Sequence, residues 1–310
     1  MTCQGERPVA ISDFHPELRS AARFTPRATV RPATLPVIRA VQNLQMRFPT
    51  RQVETVKTGT GIRLRLHRPA TGTRTPAPAM LWMHGGGYVI GSPRQDDQLC
   101  HRFAQRLGIT VAAAEYRLPP EHPHPAALDD CVQAWDWLAA RADVDVSRLA
   151  IGGASAGGGL AAALAMAARD RGLIAPVLQL LAYPMLDDRS ADDPSLDTVE
   201  HRLWDRRSNQ LGWAAYLGGA DPTQIVPARR TDLVGLARTW IGVGTLDLFH
   251  HECLTYARQL RAAGVHTEVC EVPGAFHAFD KVAAKTPVSQ HFFDAQCAAL
   301  AGALGIWPPV

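Results

Sequence analysis

The stretch Leu149-Ala150-Ile151-Gly152-Gly153-Ala154-Ser155-Ala156-Gly157-Gly158-Gly159-Leu160 decides the fold. Its first four residues form a short apolar run that reads as a buried strand, and Gly158 to Arg169 reads as a small-residue helix leaving it. Between them stands G-x-S-x-G, centred on Ser155. A serine on a sharp strand-to-helix turn needs small residues two positions away on either side, because a Cβ there would strike the strand or the helix. Gly153 and Gly157 meet that need. The pattern alone arises in about one shuffled version of such a chain in fifteen, so its strand-and-helix setting carries the weight. A phosphate-binding loop would need the lysine of G-x-x-x-x-G-K-[ST], which is absent.

Outward from this turn, short apolar runs alternate with helical patterns. Val53–Lys57 and Ile62–Leu66 read as strands joined by the hairpin turn Thr58-Gly59-Thr60-Gly61. In the second strand Ile62, Leu64 and Leu66 alternate with Arg63, Arg65 and His67, which predicts one buried face. Further strands are expected at Ala79–Met83, Ile109–Glu115, Val177–Tyr183, Trp240–Gly244 and Thr267–Val272. Helices are expected at Gln95–Leu107, Ala126–Arg141, His250–Ala263 and about Ser289–Leu304. This alternation predicts an α/β fold, a mainly parallel sheet with helices on both faces and an antiparallel hairpin at one edge. Residues 1–52 hold six prolines and weakly helical pieces such as Val37–Met46, and read as an appended segment rather than a core element. The polar stretch at about 185–236 breaks the rhythm and reads as an insertion over one end of the sheet. The catalytic domain is then 53–310.

The chemistry follows from residue types. A serine hydroxyl is a weak nucleophile until a base takes its proton. His84-Gly85-Gly86-Gly87 ends the strand Ala79–Met83, and its glycines free the backbone to turn N–H groups toward an oxyanion. Gly85, Gly86 and Gly87, with Ala156 after the serine, are the expected oxyanion donors. The base is expected at His277, in the loop Pro273-Gly274-Ala275-Phe276-His277 beyond a strand; His291 falls within a surface helix. The acid that orients it is expected at Asp247, just past the strand Trp240–Gly244, with Glu252 in the following helix as the alternative. Asp187, Asp188, Asp192 and Asp193 read as solvated, and Asp280 lies too near His277 in sequence. His122-x-His124 and His250-His251-Glu252 lack H-E-x-x-H spacing, so no metal is expected, and the serine chemistry calls for no cofactor.

Composition narrows the partners. The chain has 310 residues, 46% of them apolar, and a formal net charge of +3 with Lys57, Lys281 and Lys285 as its only lysines. No polybasic arm appears, so neither nucleic acid nor an anionic membrane is an implied partner. The N-terminus has no apolar stretch of signal-peptide length and no run spans a bilayer, so neither export nor stable membrane insertion is expected. The six cysteines are scattered without C-x-x-C, which fits free thiols in a reducing cytoplasm.

Together these pieces resemble the hormone-sensitive-lipase-like branch of the α/β-hydrolase fold, called family IV among bacterial esterases. Four signatures over residues 53–305 carry the resemblance: His84-Gly85-Gly86-Gly87; Tyr116-Arg117-Leu118-Pro119-Pro120-Glu121-His122-Pro123; Gly153-Ala154-Ser155-Ala156-Gly157; and Gly274-Ala275-Phe276-His277. It implies Ser155 as nucleophile, His277 as base and Asp247 as its orienter. It also implies a cap built from 1–52 and 185–236, short-chain esters as the small-molecule substrates, and dimers as a common state that this sequence leaves open. Amide, carbamate or lactone hydrolysis, or ligand reception without catalysis, are the other activities such a site allows. Three departures stand out: Ala154 replaces a hydrogen-bonding residue before the serine, Leu248 replaces the proline that usually follows the acid, and Pro119 stands where alanine is common. Trp82, Tyr88, Trp204, Trp213 and Phe276 could wall a pocket, though each taken singly fits an aromatic core better.

Overall fold

The structure, a computed structural model, describes residues 9–27, 30–46, 48, 50, 53–70, 75–197 and 201–306. Its centre is an eight-stranded sheet in the order β1-β2-β4-β3-β5-β6-β7-β8. The strands are β1 (Glu54–Lys57), β2 (Arg63–His67), β3 (Ala77–Met83), β4 (Thr110–Glu115), β5 (Val144–Ala154), β6 (Leu178–Ala182), β7 (Thr239–Gly244) and β8 (Thr267–Val272). The first two form the antiparallel edge, β2 pairing antiparallel with β4, and every later pairing is parallel. β3, β4, β6 and β7 are buried almost throughout, which explains why they read as continuous apolar runs.

The helices are α1 (Arg19–Phe24), α2 (Leu35–Met46), α3 (Asp97–Leu107), α4 (Ala126–Ala139), α5 (Ala156–Asp170), α6 (Arg206–Leu217), α7 (His250–Ala262), α8 (Phe279–Val282) and α9 (Pro287–Leu304). α3 packs with α9, where Phe103 meets Phe293, and α4 packs with α5. These pairs give the layers on the two sides of the sheet. α5 is buried along nearly its whole length; its run of Gly and Ala lets its backbone lie close to β5 and β6.

Three readings change. β5 begins at Val144, five residues before the apolar run, and α5 begins at Ala156, directly after the serine. β2 exposes its polar face only at Arg63: Arg65 and His67 are buried, because α3 packs on β2 and Arg65 forms a two-pronged ion pair with Asp97 of α3 at 2.7 and 2.5 Å. The N-terminal segment also enters the core. Phe14, Leu18, Ala22 and Val30 are buried, and Phe14 packs edge-on against Phe276 at 6.1 Å. Single apolar residues between prolines carry no period, so their burial left no pattern to read.

The sheet order also locates the site. The chain leaves β3 for β4 on one side and returns across β3 to β5 on the other, so connections diverge at the C-terminal ends of β3 and β5. Ligands bind at such a switch point in open α/β sheets. Met83 and Gly153 are register partners there, one residue before His84 and two before Ser155.

Candidate active site

Ser155 has φ 57° and ψ −123° and caps α5. A non-glycine residue holds such a conformation only where its surroundings dictate it. Its N–H donates to Ala182 O at 2.9 Å, and its carbonyl accepts from Gly159 and Met185 at 3.1 and 3.0 Å. The flanking glycines are compulsory: a Cβ on Gly153 would lie 2.2 Å from Gly157 O, and one on Gly157 would lie 2.1 Å from Met83 O. Ala156, the first residue of α5, points a backbone N–H that has no acceptor inside the helix.

His277 lies beyond β8 on a loop tied to β7 and to the N-terminal segment. Gly274 donates its N–H to Thr245 Oγ1 at 2.8 Å and accepts from the His15 N–H at 2.9 Å. Its imidazole is held between Tyr183 and Phe249, both edge-on, with centroids at 5.0 and 5.2 Å. Nε2 is 3.0 Å from Ser155 Oγ, and Nδ1 is 2.9 Å from Asp247 Oδ2. The other oxygen of Asp247 accepts the Phe249 N–H at 3.0 Å, so the carboxylate is held without a following proline. All three side chains are buried.

Glu252, the alternative acid, is engaged elsewhere. Its Oε1 accepts the Leu186 and Asp187 N–H groups at 2.7 and 3.2 Å, and burial drives its carboxyl well above the usual range. Asp187 binds Arg189, Asp188 binds Arg229, and Asp280 accepts the Tyr183 hydroxyl at 2.9 Å. His291 is exposed on α9. His250 pairs with Glu271, and His124 sits near the Tyr216 hydroxyl at 3.4 Å. Among the described residues no group of three His, Cys, Asp or Glu is placed to hold a metal ion.

The glycine turn lies across the mouth of β3. Gly86 and Gly87 have φ of 132° and 56°, and a Cβ on Gly87 would fall 1.8 Å from the Trp204 ring. His84 is not a base in this arrangement. Burial pushes its imidazole down to about 4, its ring stacks on Tyr116 at 4.2 Å, and its carbonyl accepts the Tyr116 hydroxyl at 2.6 Å. Gln95 supports the turn from α3's approach, its Nε2 donating to Gly85 O at 3.1 Å. The tyrosine of the 116–123 signature thus props the glycine turn, while its Arg117 is bound by buried Asp130 and its Glu121 pairs with Arg39.

Ser155, His277 and the turn Gly85–Gly87 line one cavity of about 140 Å³, closed by Trp204, Leu203, Ile90 and Tyr183. Of the aromatic residues picked from sequence only Trp204 lines it. Trp82 packs on Phe103 with its Nε1 on Asp96, Tyr88 and Trp213 cluster with Tyr216, and Phe276 faces Phe14. Sequence reading missed Tyr183 and Leu203; both have positive φ, at 37° and 67°, which no residue pattern announces.

A family profile described as alpha/beta hydrolase fold matches residues 80–281. The chain belongs to the α/β-hydrolase family. It is 35% identical over 235 residues to the ethyl acetate hydrolase of Pseudomonas putida, covering 73% of each protein. It is 34% identical over 263 residues to carboxylesterase NlhH of Mycobacterium tuberculosis, covering 79% of each. Among solved structures it is similar to a bacterial heroin esterase, at 34% identity and TM-score 0.84 over 96% of this chain and 99% of the other. Esterase LipW from Mycobacterium marinum matches at 35% identity and TM-score 0.85, over 97% and 99%. This α/β-hydrolase stands on the hormone-sensitive-lipase-like branch of bacterial esterases and is a carboxylic ester hydrolase.

Proposed function

We propose that this α/β-hydrolase cleaves short-chain acyl esters through an acyl-enzyme on Ser155. The observation that carries the reading is the buried relay in which His277 bridges Ser155 Oγ at 3.0 Å and Asp247 at 2.9 Å. Ser155 Oγ attacks the ester carbonyl as His277 Nε2 takes its proton, and Asp247 holds the Nδ1 proton and stabilises the imidazolium. The tetrahedral oxyanion is received by N–H groups of Ala156 and the Gly85–Gly87 turn. His277 then returns the proton to the leaving alkoxide. A water molecule deprotonated by the same His277 attacks the acyl-enzyme, and His277 gives that proton to Ser155 Oγ as the acid leaves, so atoms and protons balance without a cofactor.

The 140 Å³ cavity supports a short acyl chain, since it falls below the volume of most small-molecule sites. Leu203 and Trp204 of the stretch 185–236 line the cavity, and the N-terminal stretch is tied to them where Arg31 pairs with Asp205 and where the Leu203 N–H donates to Pro26 O at 2.9 Å. We assign both to a cap. A phosphonate ester that mimics the tetrahedral intermediate tests the nucleophile: it is expected to label one residue, on the peptide holding Ser155, with loss of esterase activity in proportion. Labelling of another serine, or full labelling with activity retained, would reject the reading.

A further inference from the structure

α2 is amphipathic in an inverted sense. Its polar groups face the body of the protein: the Arg39 Nε donates to Val89 O at 2.7 Å, its guanidinium pairs with Glu121, and Gln42 Oε1 accepts the Gly91 N–H at 2.9 Å. Its outward face is apolar. Val37, Val41 and Leu44 are each more than half exposed and fall within about a 60° sector of the helix, and Phe48, just past its end, is as exposed. Arg39 is the only charged residue in α2 and it points inward, so no charge lies on that face. The remaining core-facing residues do not explain why a stripe of this kind stays open to water.

The charge of the surrounding segment says what could cover it. Residues 1–52 hold eight arginines (7, 19, 23, 27, 31, 39, 47 and 51) against Glu6, Asp13 and Glu17, a net +5 where the chain as a whole is +3, and two of the eight, Arg31 and Arg39, are matched by Asp205 and Glu121 of the body. The remaining 258 residues are therefore at −2. The net charge of the whole chain implies no anionic membrane, but that charge is divided unequally between the N-terminal segment and the body. An apolar helical face in a basic segment is the pattern of a helix that lies in the plane of a lipid interface. A second copy placed face to face would instead bring two positive segments together, at a Coulombic cost.

We propose that the outward face of α2 seats this protein on an anionic phospholipid surface. The location gives the contact a use. Val89 and Gly91, which α2 holds, flank Ile90, and Ile90 lines the cavity that contains Ser155. A lipid surface on α2 would sit next to the oxyanion turn, where esters partitioned into that surface are concentrated.

The test is co-sedimentation of the full chain with sucrose-loaded phosphatidylcholine vesicles containing or lacking about 30 mol% phosphatidylglycerol. The proposal expects binding about tenfold or more tighter to the anionic vesicles at low salt, with the difference collapsing at high salt as the arginines are screened. Val41→Glu/Leu44→Glu is expected to lose about tenfold or more of this binding with its melting temperature unchanged, and the milder Val41→Ser/Leu44→Ser to fall between. Ser155→Ala is expected to bind as the wild type does, which separates this question from the esterase reading. Wild-type protein that stays in the supernatant, or a double-Glu variant that sediments like wild type, overturns the proposal. So does a wild-type dimer that the double-Glu variant dissolves in sedimentation velocity, since the face then belongs to a second copy.

Discussion

Asp247 and Glu252 stand five positions apart, and both are buried carboxyl groups beside the same loop. What separates them is direction. Asp247 reaches His277 at 2.9 Å, while Glu252 turns toward the N–H groups of Leu186 and Asp187. Asp247→Asn is therefore expected to lower kcat by about four orders of magnitude, through the wrong imidazole tautomer. Glu252→Gln keeps an acceptor for both N–H groups and is expected to change kcat by less than about tenfold. Steady-state kinetics on one soluble ester compare the two. Gly87 offers a second residue-scale test. An alanine there meets the Trp204 ring at 1.8 Å and strains a φ of 56°, so Gly87→Ala is expected to lose about 10²–10³ in kcat, and adding Trp204→Ala to recover part of it. Ser155, His277 and the glycine turn stand out in the sequence because the proposed chemistry demands particular residues at particular strand ends. Asp247 is preferred to Glu252 on the same ground, its place just past β7, and the structure adds the side-chain direction, which leaves no trace in spacing.

At the scale of elements, the alternation of strand and helix was readable because the inner parallel strands β3, β4, β6 and β7 are buried on both faces and several helices are closed by a local signal, as where Gly108 ends α3 in the left-handed conformation. Elements without a period were lost. Phe14, just past one short 3-10 turn, and Leu18, on the next, are core residues, and only tertiary contacts reveal them. One such unpatterned contact helps tie the N-terminal segment to α6. Asp205 caps α6 by accepting the Ser208 N–H at 2.9 Å and also pairs with Arg31 of the N-terminal segment. Asp205→Ala removes the cap and the tether together and is expected to destabilise the fold by about 1–2 kcal/mol. Arg31→Ala removes the tether alone and should cost less. Urea unfolding of the two variants measures the difference.

In the whole molecule Ser155 and His277 sit at the reversal of sheet order between β3 and β5, and the same packing buries His67 and His84 outside that pair. Burial pushes His67 and His84 down to about 4 from the usual 6.5. In the unfolded chain each takes up its proton at its ordinary value, so stability present above pH 6.5 falls as the pH drops toward 4. His67→Phe cannot take up that proton, and its unfolding free energy is expected to fall less over this interval, by on the order of 2 kcal/mol. Denaturant titrations at several pH values report this. The Ser155 turn, where the sequence was first read, remains the centre of the account. The most direct measurement is turnover of p-nitrophenyl acetate by the wild-type chain and by Ser155→Ala, each checked for an intact fold by its melting temperature. The wild type is expected to hydrolyse the ester readily, and the variant to lose about 10⁴-fold or more in kcat. A folded Ser155→Ala protein that turns over the ester at the wild-type rate would contradict it.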